Sequence, residues 1–283
     1  MPDTRTRAAL TRAAAPRDSR LDRRRVLVLG LARARVELLA FRRDPAEVLF
    51  NFAFPVLMLI LLSQVFHGPV NGGGGVRYLT CGVLAYGVCA AAFSLCAGGI
   101  ALGRHNGSLR RLAGTPLPTW SYFLGKILLI LVVTVTEAGL VLAVGFLWLG
   151  LPAPAGLAGW ARLAWLLALG TTACALAGIG YARLIPSAEA IPAMVAPPYI
   201  LLGFISGVWY SLSALPQAAQ VGAALFPMKW LAQGLRGVFM TNPGAEPAGN
   251  FEPARTALVL GLWCLAALAT TLATFRWRPG RRG

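Results

Sequence analysis

Long apolar runs, separated by charges, prolines and glycines, follow one another along most of the chain. A helix rises about 1.5 Å per residue, so about 20 apolar residues cross a hydrocarbon core about 30 Å thick. Residues 127–135 are apolar at every position except Thr134 and lack the in–out alternation of barrel strands. The pattern predicts an all-α polytopic membrane protein with six transmembrane helices. The predicted spans are residues 48–66, 78–102, 127–149, 163–182, 193–212 and 254–275.

The segment before the first span predicts a helix that lies on the membrane surface, over residues 26–43. Its apolar residues recur at helical spacing and share one face. They are Leu27, Leu31, Ala34, Leu38 and Phe41. Attraction of a basic segment to anionic headgroups is a simpler interpretation of the same region. Residues 1–25 form a predicted disordered basic N-terminus, which leaves residues 26–283 as one transmembrane domain.

Composition and charge support a membrane protein and exclude a nucleic-acid binder. The chain is 57% hydrophobic and 13% charged, against about 25% charged residues in soluble domains, yet its formal charge is +16. A nucleic-acid binder carries its basic residues on a folded polar surface, whereas here they lie mostly near the ends and between spans. With the N-terminus in the cytoplasm, 21 of the 26 Lys and Arg residues fall on the cytoplasmic side. The positive-inside rule therefore predicts a plasma-membrane protein with both termini in the cytoplasm.

The sequence contains no nucleotide site of its own. A P-loop requires G-x-x-x-x-G-K-[ST], and the chain has only two lysines, Lys126 and Lys229. Ile127 replaces the Ser or Thr after Lys126, and Met228 replaces the glycine before Lys229. We therefore predict a transport subunit that is not an enzyme and carries no cofactor.

Metal and acid–base chemistry also find little support. The five cysteines lie in predicted spans without a C-x-x-C pair or a nearby histidine, so packing is the favoured interpretation. Glu246 and Glu252 lie in the Pro/Gly-rich stretch 241–253, where acid–base chemistry is conceivable. Solvated loop charges are the favoured interpretation of both.

Glu137 is the exception, because it lies in the middle of a predicted span. An intramembrane acid is a candidate functional residue by default, facing a bundle interior or a wet cavity. The sequence equally allows a protonated or hydrogen-bonded structural acid, with Thr134 or Thr136 as partner. Glu137 is our candidate for the substrate pathway.

Two connecting segments differ from plain loops. Residues 104–113 predict a short cytoplasmic helix with Leu109 and Leu112 on one face, ended before Pro116. Such a knob suits a groove on a partner protein, although a basic turn held at the headgroups explains it as well. The stretch 203–240 stays apolar but is interrupted by prolines, which suits a segment that dips partly into the membrane.

These elements together resemble the membrane subunit of an ABC-2-type ATP-binding-cassette exporter, most closely the daunorubicin-resistance-like permeases. The resemblance covers about residues 25–278. It is carried by Gly107-Ser108-Leu109-Arg110-Arg111-Leu112 with Thr115-Pro116-Leu117, and by Ser206-Gly207-Val208-Trp209-Tyr210 followed by Leu215-Pro216, Phe226-Pro227 and Leu235-Arg236. One departure is His105-Asn106 before Gly107, where the family often has an acid.

The resemblance implies a homodimer or heterodimer of permease chains in the lipid bilayer, working by alternating access with separate ABC ATPase subunits that bind ATP and Mg. Residues 26–43 are then the interfacial helix, and 214–240 an external re-entrant helical hairpin. Residues 104–113 are then the coupling helix against the ATPase. Its coupling residues are Arg104, Gly107, Ser108, Leu109, Arg110, Arg111 and Leu112.

The cargo stays open at this stage. We expect export of a hydrophobic or amphipathic compound of a drug or antibiotic kind, hence drug resistance. Export of a lipid or polysaccharide is possible on the same architecture. A proton-coupled secondary transporter that uses Glu137 is the alternative from another class.

Overall fold

The chain was analysed as a computed structural model, which describes residues 19–65, 75–108, 111, 119–244 and 246–274. Within these ranges all regular structure is helical, which confirms the all-α prediction. The helices are α1 (Ser19–Arg43), α2 (Pro45–Val48), α3 (Phe54–Val65), α4 (Gly75–His105), α5 (Thr119–Leu147), α6 (Gly156–Tyr181), α7 (Ile191–Ile205), α8 (Gln217–Ala224), α9 (Pro227–Phe239) and α10 (Pro253–Thr274). A π-helical turn, Leu49–Ala53, joins α2 to α3.

Four helical segments among the described residues are long and apolar enough to cross a membrane. They are Pro45–Val65, Gly75–His105, Ser121–Leu147 and Gly156–Leu184. The other two predicted spans correspond to shorter apolar helices, Ile191–Ile205 and Pro253–Ala269. The structure thus supports a polytopic membrane protein, while the count of six spans stays a prediction.

The fifth predicted span, residues 193–212, ends earlier than expected. Helix α7 stops at Ile205, and Gly207 follows in the left-handed region with φ of 68°. A residue with a side chain rarely adopts this conformation, so the glycine provides a sharp helix end. Hydropathy alone does not detect such a stop, because the residues after Gly207 remain apolar.

Helix α4 is the centre of the bundle and packs against α3, α5, α6, α7 and α9. Small residues make these contacts close: a Cβ on Gly178 of α6 would collide with the Phe93 carbonyl of α4. Close approach through glycine and alanine is the usual way in which membrane helices gain packing energy. The remaining large contacts are α1 with α5, α6 with α9, and α10 with both α6 and α9.

Helix α1 begins at Ser19, within the segment predicted as disordered, and packs along α5. The residues of the predicted apolar face differ in burial, and contact of this face with the membrane stays a prediction. Ala34 and Phe41 are buried, but Leu27 and Leu31 are 56% and 60% exposed. Gly30 takes part in the packed face instead, because a side chain there would overlap Leu124 of α5.

The two ends of the bundle carry different polar groups, and we name them after one residue each. The His105 end contains the end of α4, the start of α5 and the connection from α6 to α7. At the Arg236 end, Tyr78 near the start of α4 contacts Arg236 of α9.

Candidate functional site

A cavity of about 740 Å³ lies between α4, α5 and α6, with Leu268 of α10 at its edge. Its wall is mostly aliphatic and includes Val88, Ile130, Leu163 and Leu167. The size is typical of a site for a small molecule, and an apolar wall with few polar groups is also typical. The polar side chains on the wall are those of Tyr122, Lys126, Thr134, Thr171 and Thr172.

The polar end of the cavity is at Lys126 of α5, and this side chain is held by residues of α1 that lie behind the cavity wall. The ammonium of Lys126 donates to Glu37 Oε2 at 3.0 Å, and the Arg33 guanidinium donates to Glu37 Oε1 at 2.5 Å. The side chains of Lys126, Glu37 and Arg33 are 8%, 13% and 24% exposed. Arg33 also lies over the ring of Tyr122, 5.6 Å from its centroid. We call Arg33, Glu37 and Lys126 the charged trio.

The charged trio holds Glu37 as a carboxylate. Burial alone would raise the pKa of Glu37, but the charges of Lys126 and Arg33 and their hydrogen bonds outweigh burial and lower it. Two cations against one carboxylate leave one net positive charge in the trio. Glu47 is another acid within electrostatic range of Lys126, but it forms no ion pair with it and is not on the cavity wall.

The predicted coupling segment begins directly at the end of α4. Gly107 has φ of 72°, and the amide of Ser108 donates to Asn106 Oδ1 at 2.9 Å, which starts a new helical turn. The amide of Arg111 donates to the Gly107 carbonyl at 3.0 Å, the spacing of an α-helix. The rest of the segment, Leu109, Arg110 and Leu112, lies outside the described residues. The coupling role of the seven residues stays a prediction.

Arg104 connects this segment to another part of the bundle. Its guanidinium donates to the carbonyl of Ile185, and a ring nitrogen of His105 lies 3.2 Å from the same oxygen. Ile185 follows the 3-10 turn at the end of α6 and is completely buried. Two consecutive residues of α4 thus meet the connection from α6 to α7.

Glu137 is buried between α5, α4 and α3, with 1% of its surface exposed. Its carboxylate lies against Gly87 so closely that a Cβ on this glycine would overlap it, and Pro55 is adjacent. Its Oε2 has no hydrogen-bond partner among the described residues. Glu137 is not among the residues that line the cavity. Its role in a substrate pathway stays a prediction.

The Arg236 end contains a polar cluster that the sequence analysis missed. Arg236 donates to Glu246 through Nε and to the Gly207 carbonyl through Nη1 at 3.1 Å. The hydroxyl of Tyr78 donates to the carbonyls of Gly207 and Tyr210 at 2.7 and 2.8 Å. These contacts connect α9, the turn after α7 and the start of α4.

The interpretation of Glu246 as a solvated loop charge is therefore wrong. Glu246 is 4% exposed and paired with Arg236, and Glu252 is largely covered and accepts from Arg255. The sequence did contain a signal for this cluster in the segment that supplies its basic residues. Lys229, Gln233 and Arg236 recur at helical spacing on α9. A polar stripe on a helix within an apolar region requires buried partners.

The cysteines and metal ligands add no site. Cys81, Cys89, Cys96 and Cys174 are buried free thiols, and Cys264 is half-buried. Across the described ranges, no group of three His, Cys, Asp or Glu side chains is placed to hold a metal ion. The cavity with its charged trio and the Gly107 turn are therefore the features on which function is argued.

Comparison with known proteins agrees with this architecture. The family model described as "ABC-2 type transporter" matches residues 31–240, about three quarters of the chain. No curated protein matches the chain.

Proposed function

The chain belongs to the ABC-2 type transporter family, and from this premise we propose that it is the membrane-spanning permease subunit of an ATP-driven ABC exporter. The family match over residues 31–240 is the observation that carries the proposal. The domain is a transmembrane transport component, and the energy comes from a separate ATPase subunit that binds ATP and Mg. The daunorubicin-resistance-like permeases are the proposed subfamily.

The proposed working unit contains two permease chains, identical or different, and two ATPase subunits in the plasma membrane. Helices α3, α4, α5, α6, α7 and α10 are the six proposed spans. Helix α1 is the proposed interfacial helix, and residues 214–240, which include α8 and α9, the proposed external re-entrant hairpin. Both termini then lie in the cytoplasm, which places the His105 end on the cytoplasmic side.

A physical route for coupling supports the proposal. The proposed coupling segment follows α4 without a linker, and α4 contacts five other helices. Arg104, at the end of α4, donates to the carbonyl of Ile185, which lies in the connection from α6 to α7. ATP shifts a transporter between states only if the ATPase binds it with different affinity in each. A rigid helix that begins at the ATPase contact transmits that difference to the centre of the bundle.

The proposed cargo is a hydrophobic or amphipathic compound of a drug or antibiotic kind. Aliphatic side chains form most of the cavity wall, which favours an apolar molecule of that size. Lipid or polysaccharide export remains the alternative on the same architecture.

The test is uptake into inverted vesicles that contain the chain and its copurified ATPase. We expect ATP-dependent, vanadate-sensitive uptake that survives a proton ionophore. Replacement of Leu109 and Leu112 by Asp should abolish uptake, whereas replacement of both by Ile preserves the apolar face and should keep it. Unchanged uptake and assembly in the Asp variant would contradict the coupling role.

The buried position of Glu137, with Oε2 unpartnered among the described residues, favours one second candidate, a proton-coupled secondary transporter. Uptake without an ATPase that is lost with the ionophore and with Glu137→Gln supports this candidate. Uptake of every cationic compound at full rate by Glu137→Gln excludes it, and also excludes Glu137 from a cation pathway.

A further inference from the structure

The cavity combines a long apolar wall with a cationic end. Its wall runs along α5 from Tyr122 to Val135 and along α6 from Trp160 to Ile179. Lys126 is on this wall, near its His105 end, and is the one Lys or Arg among the lining residues that the structure describes. An elongated molecule with a charged head fits this arrangement better than a compact polar one does.

The charge at the cavity end is positive. Glu37 accepts from both Arg33 and Lys126, so one carboxylate is shared between two cations. Arg33 Nε is buried and has no hydrogen-bond partner in the described part of the chain. The lining contains no Asp or Glu, and Glu137 points against Gly87 elsewhere. A cation at this end would meet the like charge of Lys126, whereas an anionic group would add a second acid to two cations that share one carboxylate.

We propose that the cavity binds an amphipathic molecule with an apolar chain and a single anionic group, with the chain between α5 and α6 and the anionic group at Lys126. An anionic head gains charge-assisted hydrogen bonds in a partly dry site, where they are stronger than in water. As a statement about cargo, the proposal rests on the proposed export function. The claim that the cavity binds such a molecule does not rest on the proposed export function.

The position of the charged trio suits such a molecule. The trio joins α1, the proposed interfacial helix, to the first turns of α5. At this depth a charged head keeps access to water while its chain enters the protein from the side of the bilayer. The same geometry disfavours a long neutral sugar chain, because the wall offers few hydroxyl and amide partners.

Binding can be measured without ATP or an ATPase. The full chain is placed in neutral phosphatidylcholine nanodiscs and titrated with dibromostearate, whose bromines quench tryptophan fluorescence. Trp160 lines the cavity but is 46% exposed, so the quenching that both Trp160→Phe and an excess of unbrominated stearate remove reports on this site. The alcohol and the amine with the same brominated chain serve as neutral and cationic probes. We expect the acid to bind at least about tenfold more tightly than either, as one charge-assisted hydrogen bond predicts.

Two variants with opposite expected effects distinguish recognition from a structural role. Lys126→Gln removes the cation and should weaken binding of the acid about tenfold, with little effect on the alcohol. Glu37→Gln removes the competing carboxylate and should strengthen binding of the acid. Both variants break the same contact between α1 and α5, so a purely structural contact predicts losses in both. The proposal is overturned if both variants change the affinity for the acid in the same direction.

A third variant tests the cavity itself if Lys126→Gln does not fold. Ala168→Phe fills the space beside α6 without adding a fluorescent tryptophan and should remove binding of all three probes. Unchanged affinity in this variant, or equal affinity of acid, alcohol and amine for the unmodified chain, overturns the proposal while leaving the exporter proposal intact. Competition by phosphatidylglycerol in the nanodisc identifies a bilayer lipid as the anionic occupant. If phosphatidylglycerol does not compete, the anionic occupant is a free single-chain molecule.

Discussion

Arg236 and Glu246 form an ion pair that joins α9 to the following loop, and the side chains of both are 1% exposed. Arg236 also lies over the ring of Tyr78, 4.5 Å from its centroid. Burial alone would lower the pKa of Arg236, but Tyr78 and Glu246 outweigh it and raise the pKa, so the guanidinium stays charged. The pair therefore fixes the Arg236 end through charges that have almost no contact with solvent.

Removal of one partner should leave an uncompensated buried charge. Glu246→Ala should lower the free energy of unfolding by about 3–5 kcal/mol, measured by denaturation in detergent. Arg255→Ala is the matched control, because Arg255 is 63% exposed in its pair with Glu252 and should cost under about 1 kcal/mol. Equal losses in the two variants would contradict a special cost of burial at Glu246.

Lys229 should make stability depend on pH in the alkaline range. Burial lowers its pKa to about 8 from 10.5, despite the opposing effect of Glu246 and Glu252. Between these values the unfolded chain binds a proton that the folded chain does not, so stability rises with pH. The stability difference between wild type and Lys229→Met should change by about 2 kcal/mol from pH 8 to pH 10, in favour of wild type. Parallel pH profiles would show that Lys229 is not responsible.

Position 87 should require glycine, because the carboxyl group of Glu137 lies directly against it. An alanine Cβ at this position overlaps Oε1 of Glu137 and also approaches Pro55. Gly87→Ala should therefore cost about 1–3 kcal/mol of stability through overpacking, and Glu137→Ala in the same chain should restore part of it. Gly139→Ala is the control on α5, because a Cβ there meets no neighbour within 4 Å. Thermal unfolding of wild type, the three single variants Gly87→Ala, Glu137→Ala and Gly139→Ala, and the double variant checks the prediction, which additive effects of Gly87→Ala and Glu137→Ala would contradict.

Arg104 should affect transport more than assembly. Its hydrogen bond to the Ile185 carbonyl joins the end of α4 to the connection before α7. A hydrogen bond from a charged donor contributes about 1.5–3 kcal/mol, so Arg104→Gln should reduce the uptake per ATP hydrolysed several-fold. Arg35→Gln, on the exposed surface of α1, should leave it unchanged. Loss of ATPase copurification in Arg104→Gln would instead assign Arg104 to the subunit contact.

Much of the fold was accessible from the sequence because hydropathy is a local property. The apolar runs located α3, α4, α5 and α6 within a few residues at most ends, and the family resemblance implied a helical hairpin over 214–240, where α8 and α9 lie. The early end of the fifth predicted span was not accessible in this way, because the turn at Gly207 depends on backbone conformation and not on hydropathy.

The candidate site was less accessible, because its members are distant in sequence. Glu37 and Lys126 are 89 residues apart, and nothing in either local segment indicates the other. Arg236 and Glu246 are close in sequence, but a loop rich in proline and glycine gave no reason to expect burial. Leu27 and Leu31 were predicted on the membrane face of α1 and are exposed, whereas the close contact of Gly30 with α5 was not indicated by the pattern.

The sequence by itself determined that this chain is an all-α membrane protein without a P-loop, since length, hydropathy and motif spacing are read along the chain. The tertiary structure decided which charges are buried together, that Glu137 faces Gly87 and not the cavity, and that Lys126 on the cavity wall shares the Glu37 carboxylate with Arg33. The physical reason is that the energy of a buried charge depends on its partners, and packing of distant helices determines those partners.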